Sequence, residues 1–181
     1  MNNADPESQS LIAQLLLLVV LTFINAFLAA AEIAVVSVNK NRVEQKAEDG
    51  DAKAQKLLKV LQDPNNFLST IQVGITLVNI LSGASLAETL SSRLAPVLGG
   101  GAAAKSLASI IILALLTYVS IVFGELYPKR IAMNKSEEVA QLTSGAVRFL
   151  GVIARPFVWL LSASTDLLSK ITPMTFDDAR S

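Results

Sequence analysis

The stretch Pro64-Asn-Asn-Phe-Leu-Ser-Thr-Ile-Gln-Val-Gly-Ile-Thr-Leu-Val-Asn79 decides how the chain folds. Between Asp63 and Glu88 no residue is charged, and a run of that length can cross a bilayer as a helix. At helical spacing Ser69, Gln72, Thr76 and Asn79 fall at i, i+3, i+7 and i+10 and share one stripe. Apolar residues, among them Ile71, Val73, Leu77 and Ile80, surround it. A spanning helix turns such a stripe toward protein or water, because a polar group facing lipid carries a desolvation penalty. The stretch therefore predicts a membrane helix with a small polar site on one side.

Composition agrees. The chain has 181 residues, 52% of them hydrophobic, and a mean hydropathy of +0.52, too apolar for an ordinary soluble domain. Formal net charge is zero, so no general attraction to nucleic acid is implied. Cysteine and histidine are both absent. Disulfides, thiolate or imidazole metal sites and Cys- or His-based catalysis are thereby excluded, and any metal must be a hard cation held by oxygen.

Working outward, Met1–Ser10 is polar and lacks the basic start and cleavage site of a signal peptide. It reads as an extracellular tail. Leu11–Ala31 is free of charge and forms the first span. Asn25 and Glu32 lie seven residues apart on one face, with small Ala26, Ala29, Ala30 and Ala31 permitting a close neighbour. Glu32 either joins a site there or marks the inner end of the span. Residues 39–65 alternate basic and acidic groups over an apolar periodicity, which predicts one or two amphipathic juxtamembrane helices. The second span covers about Asn66–Leu90, with Gly74 and Gly83 marking close contacts or a break. A glycine-rich loop follows over 91–105.

The third span runs from about Ser106 to Leu126, with Thr117, Ser120 and Gly124 on one stripe, and passes into Gly124-Glu-Leu-Tyr-Pro-Lys129. If the helix continues to Pro128, the carbonyl four residues back, that of Gly124, loses its N–H donor. A freed carbonyl, the adjacent Glu125 and a facing asparagine stripe are what an oxygen-liganded cation requires. The other reading is a proline that ends the helix, with Lys129 and Arg130 as interfacial anchors. Segment 144–170 is apolar but interrupted by Arg148, Arg155 and Asp166 and broken by Pro156. It reads as a surface-lying helical pair, with a fourth span as the lesser alternative.

The expected fold is an all-α membrane protein with three transmembrane helices per subunit and amphipathic juxtamembrane helices on the cytoplasmic side. Its parts are a tail at 1–10, a three-span core at 11–135 including juxtamembrane segment 39–65, and cytoplasmic-side helices and tail at 136–181. Six basic residues occur in the first inner loop and two in the outer loop. This places the chain in the cell (inner) membrane with the N-terminus outside and the C-terminus cytoplasmic. Gly99-Gly100-Gly101 followed by Lys105-Ser106 lacks the glycine a phosphate loop needs before its lysine. The sequon Asn134-Lys135-Ser136 falls on the inner side. With no nucleophile–base pair either, the chain does not read as an enzyme.

Three segments resemble, in order, the transmembrane domain of the CorC/CNNM (cyclin M) magnesium transporter family. They are Asn25-Ala-Phe-Leu-Ala-Ala-Ala-Glu32-Ile-Ala, residues 64–79 and Gly124–Lys129. The resemblance implies a homodimer of three-span subunits holding a dehydrated Mg²⁺ near the inner half of the membrane, with transport tied to Na⁺. It implies that Asn79 and the Gly124–Glu125 region supply ligands, with Ser69 on the same stripe as Asn79. From the first helix only the backbone of Ala29 to Ala31 is available where family members often carry serine, unless Glu32 or Ser37 substitutes. Cytoplasmic CBS-type regulatory domains are implied as partners in the full-length protein. The expected function is Mg²⁺ export against Na⁺. The alternative is a membrane anchor or interaction module for those regulatory domains, without transport of its own.

Overall fold

The computed structural model describes residues 6–84 and 86–172. Among them the chain is a succession of helices joined by short turns, without strands. Helix α1 (Pro6–Ser37) already begins at Pro6, a residue pre-set for the first helical position. The extracellular tail expected over 1–10 is therefore helical from residue 6, and residues 1–5 lie outside the described residues, as do 173–181 of the expected C-terminal tail.

The juxtamembrane segment folds as two helices, α2 (Lys40–Glu48) and α3 (Ala52–Gln62). The side chain of Asn39 accepts the Arg42 N–H at 3.3 Å and so caps α2. Gly50, at φ 95°, supplies the left-handed residue that ends it. Asp51 then caps α3 by accepting the N–H groups of Lys53 and Ala54 at 2.9 and 3.3 Å. Two caps flanking one glycine explain why a single alternating charge pattern becomes a helical hairpin.

Helix α4 (Pro64–Ala84) is 21 residues long; at ~1.5 Å per residue it spans about 30 Å, the thickness of a hydrocarbon core. Beyond residue 85, which lies outside the described residues, the chain is helical again as α5 (Leu86–Leu94), so helix accompanies the expected second span on either side of that residue. The loop expected over 91–105 is likewise mostly helical. A 3-10 turn (Ala95–Leu98) continues from α5 and stops at Gly99 and Gly100, with φ 109° and 71°. Helix α6 (Ala102–Ile121) passes through a π-turn (Val122–Leu126) into α7 (Tyr127–Asn134). The last element, α8 (Ser136–Ile171), is one helix, not the expected pair. Pro156 and Val152, four residues before it, are both exposed, so the carbonyl the proline leaves without a helical donor lies on an unpacked face and the helix runs on.

Four helical stretches, 8–37, 64–98, 102–134 and 136–171, are long and apolar enough to cross a membrane. The fourth carries Arg148, Arg155 and Asp166 within it. The buried core gathers at one end of the bundle, where Ala31, Ala34, Val43, Leu57, Ile71 and Val147 interlock α1, α2, α3, α4 and α8. Glu137 secures the first turn of α8 to α2 by pairing with Arg42 at 3.4 Å and with Lys46. Gly74 lets α4 press on α1: a Cβ there would lie 2.7 Å from Leu28 Cδ1. Away from this end the helices expose Leu16, Val20, Phe23, Ile110 and Leu113. Acyl chains cover such a surface in a bilayer; in water it would aggregate.

Candidate functional site

Pro128 does not end the third span. The helix continues to Asn134, and the missing N–H is absorbed by the π-turn at Val122–Leu126, in which the Tyr127 N–H reaches back to the carbonyl of Val122. A π-turn adds one residue to the helical repeat and is a recurrent feature of functional sites. Here it releases the Gly124 carbonyl, and α1 answers it: Asn25 Nδ2 donates to Gly124 O at 3.0 Å. Asn25 is 4% exposed. Because a carbonyl accepts only a donor, the amide orientation is set, and Oδ1 is left buried without a partner. Glycine at 124 eases this approach, since a Cβ there would sit 3.0 Å from Asn25 Nδ2 and press the amide back by a few tenths of an ångström.

The extra residue also rotates the polar stripe of the third span. Continued at ordinary spacing, Thr117, Ser120 and Gly124 share a face. After the π-turn it is Glu125 that follows Thr117 and Ser120, while Gly124 turns to α1. Glu125, Thr117 and Ser120 line a cavity of about 300 Å³ with Asn79 and Ser82 of α4. Its remaining wall is apolar, including Leu18, Leu113 and Ile121. Gly83, also on the wall, has open space where a Cβ would stand. One carboxylate, one amide and three hydroxyls thus face a pocket within the apolar part of the bundle.

Of the residues singled out from the sequence, Asn79 and Glu125 come together in this cavity and Gly124 adjoins it in the π-turn. The others stand elsewhere. Ala29 and Ala31 are fully buried in packing within an unbroken helix whose ladder already engages their carbonyls. Glu32 faces Lys129 at 3.9 Å, each about one-third exposed, the position of a span-end acid. Ser69 is half-buried and Ser37 exposed, and neither lines the cavity. No group of three or more Asp, Glu, His or Cys occurs among the described residues, so a cation here depends on amide, hydroxyl and backbone oxygens beside a single acid.

Comparison with known proteins accords with this architecture. Residues 16–180 match the family described as the cyclin M transmembrane N-terminal domain. The chain belongs to that family. Among cyclin M relatives, the UPF0053 protein sll0260 of Synechocystis is 38% identical over 95% of this chain and 39% of its own length. The UPF0053 protein YhdT of Bacillus subtilis is 33% identical over 87% of this chain and 35% of its own. A Haemophilus influenzae protein named a polyamine export protein is 29% identical over 87% of this chain and 37% of its own. The chain therefore spans little more than a third of the length of the relatives it matches.

Within this cyclin M domain, the contact that the sequence did not foresee is that of Asn25 with Gly124, beside the cavity. Its signal was present as an amide in the inner half of an apolar span that also holds Gln14, on the face of Glu32. Its partner lies 99 residues away, and no local pattern reports such a pairing.

Proposed function

We propose that this cyclin M domain carries a divalent cation, Mg²⁺, across the membrane, exporting it in exchange for Na⁺. The observation that carries the reading is the cavity in which Glu125 meets Asn79, Ser82, Thr117 and Ser120: several preset oxygens stand beside one carboxylate that offsets a cation's charge. The buried Asn25 holds the adjoining Gly124 carbonyl from α1 and so fixes the turn that presents Glu125. Mg²⁺ takes near-octahedral oxygen coordination and sheds water reluctantly, so several preset oxygens are needed, and this cavity offers amide, hydroxyl and carboxylate ones. A polyamine, the cargo in one relative's name, carries several separated positive charges, whereas this cavity offers one carboxylate.

The proposal includes a homodimer with the N-terminus outside, and CBS-type regulatory domains as partners in the full-length protein. Gln72, Thr76 and Asn79 are exposed on α4, and the hydrogen bond between Gln72 Nε2 and Thr76 Oγ1, at 3.4 Å, satisfies little of them. A second copy lying on this stripe removes it from lipid.

The test is thermal unfolding of the purified domain against increasing Mg²⁺, with Na⁺ and spermidine as comparison ligands. Mg²⁺ is expected to raise the midpoint with concentration, by the equivalent of ~2.7 kcal/mol at a hundredfold excess over Kd. Asn79→Ala and Glu125→Gln are expected to abolish the rise. An indifferent midpoint favours the membrane-anchor reading, and a response to spermidine alone transfers the site to polyamines. Mg²⁺ flux in proteoliposomes under Na⁺ gradients of either sign then tests direction and coupling.

A further inference from the structure

A second polar cavity, of about 300 Å³, lies where the end of α3 and the start of α4 meet the middle of α8. Lys59, Arg148 and Arg155 line it, together with Asn66 and a single acid, Asp63. It adjoins a groove that shares Arg148 and adds Lys53 and Lys56 against Glu138. Lys53, Lys56 and Lys59 recur every three residues along α3, and Arg148 and Arg155 lie seven apart on α8, so two cationic edges face each other. Among the described residues none of these five cations comes within ion-pair distance of a carboxylate. The helices meet closely at Gly151, where a Cβ would stand 3.3 Å from Thr70 Oγ1. Glycine at this point keeps the floor of the cavity open between the two arginines.

The surroundings identify the ligand. Beside Arg148 and Arg155, α8 exposes Val152, which lines the recess itself, and Trp159, one turn beyond Arg155 on the same face, so an apolar surface adjoins the cationic recess. A soluble phosphate would use only the recess. A molecule with an anionic phosphate head and acyl chains uses both, and α4 enters its membrane-spanning stretch at this level. We propose that this recess is a binding site for the headgroup of an anionic phospholipid, with its chains along α8. Basic pockets between helices at the membrane surface are suited to such heads, and arginine pairs with phosphate through two parallel N–H donors. The site is separate from the ion cavity and does not rest on the transport reading.

The test uses the purified chain in detergent, titrated with phosphatidylglycerol, phosphatidylcholine or inorganic phosphate, with the unfolding midpoint followed and retained lipid counted by native mass spectrometry. Phosphatidylglycerol is expected to raise the midpoint and stay bound, and the other two are not. In Arg148→Gln/Arg155→Gln, affinity for phosphatidylglycerol is expected to fall by about tenfold or more. Lys40→Gln/Arg130→Gln, which removes exposed cations outside the recess, is expected to leave it unchanged. Should the double arginine variant not fold, Lys59→Gln, an exposed position, is expected to lower lipid retention by itself. Equal responses to phosphatidylglycerol and phosphatidylcholine overturn the proposal. So does an equal loss in the Lys40/Arg130 variant, or a response to inorganic phosphate as large as that to the lipid.

Discussion

Asn25 engages the carbonyl of Gly124 with one end of its amide and leaves the other end buried, so its substitutions separate donor from acceptor. Asn25→Ala removes both and leaves the Gly124 oxygen bare; a loss of ~1–3 kcal/mol in unfolding free energy is expected. Asn25→Asp keeps an oxygen but sets an acceptor against an acceptor, and is expected to cost more than alanine. An aspartate variant as stable as the native protein would show that the donated bond is unimportant. Two glycines make a second residue-level pair. Gly74→Val drives a side chain into Leu28, itself 2% exposed, and overpacking of this kind costs ~1–3 kcal/mol. Gly83→Val meets nothing within 4 Å at its Cβ, so a much smaller change in stability is expected. Chemical denaturation of the two variants side by side checks the contrast. From the sequence Gly74 and Gly83 looked equivalent; only packing separates a contact from a cavity wall.

At the scale of the element, the third span turns on a conflict between proline and helix. Pro128 removes a donor, the π-turn takes up the slack, and the polar face passes from Gly124 to Glu125. Pro128→Ala restores an N–H able to reach Gly124 O by the ordinary i→i−4 bond. The variant is expected to be at least as stable as the native protein. Because the extra residue is no longer needed, Glu125 rotates out of register, and Mg²⁺-dependent stabilisation is expected to be lost. Retention of the full Mg²⁺ response would mean that the π-turn is incidental. The release of this carbonyl was legible from the spacing of Gly124 and Pro128. The π-turn was not, because a helix widens only when tertiary packing, here Asn25 from α1, stabilises the wider form.

At the scale of the whole molecule, the exposed polar stripe of α4 calls for a cover. The chain has no native cysteine, so a single introduced one reports cleanly. On the homodimer reading Gln72→Cys crosslinks two copies in membranes under mild oxidation, whereas Val36→Cys, exposed near the C-terminal end of α1, does not. Equal crosslinking at both positions would place the contact elsewhere. The asymmetric core belongs to this scale as well. The buried residues of α2, α3 and α8 close one end of the bundle, while the remainder depends on the bilayer for its surroundings. Stability in detergent is therefore expected to be limited by the spans and not by the juxtamembrane helices.

Composition and periodicity alone determined that this is a helical membrane domain, since uncharged runs of span length have no other economical fold. The same local rules reached the juxtamembrane helices and the freed carbonyl of Gly124, because each involves residues within a few positions of one another. Only the tertiary structure decided that segment 144–170 is one helix, that Glu32 faces Lys129 and not the cavity, and that Asn25 donates to the Gly124 carbonyl. Those outcomes depend on which helix lies against which, and the free energy of such contacts is not written in the spacing of any single segment.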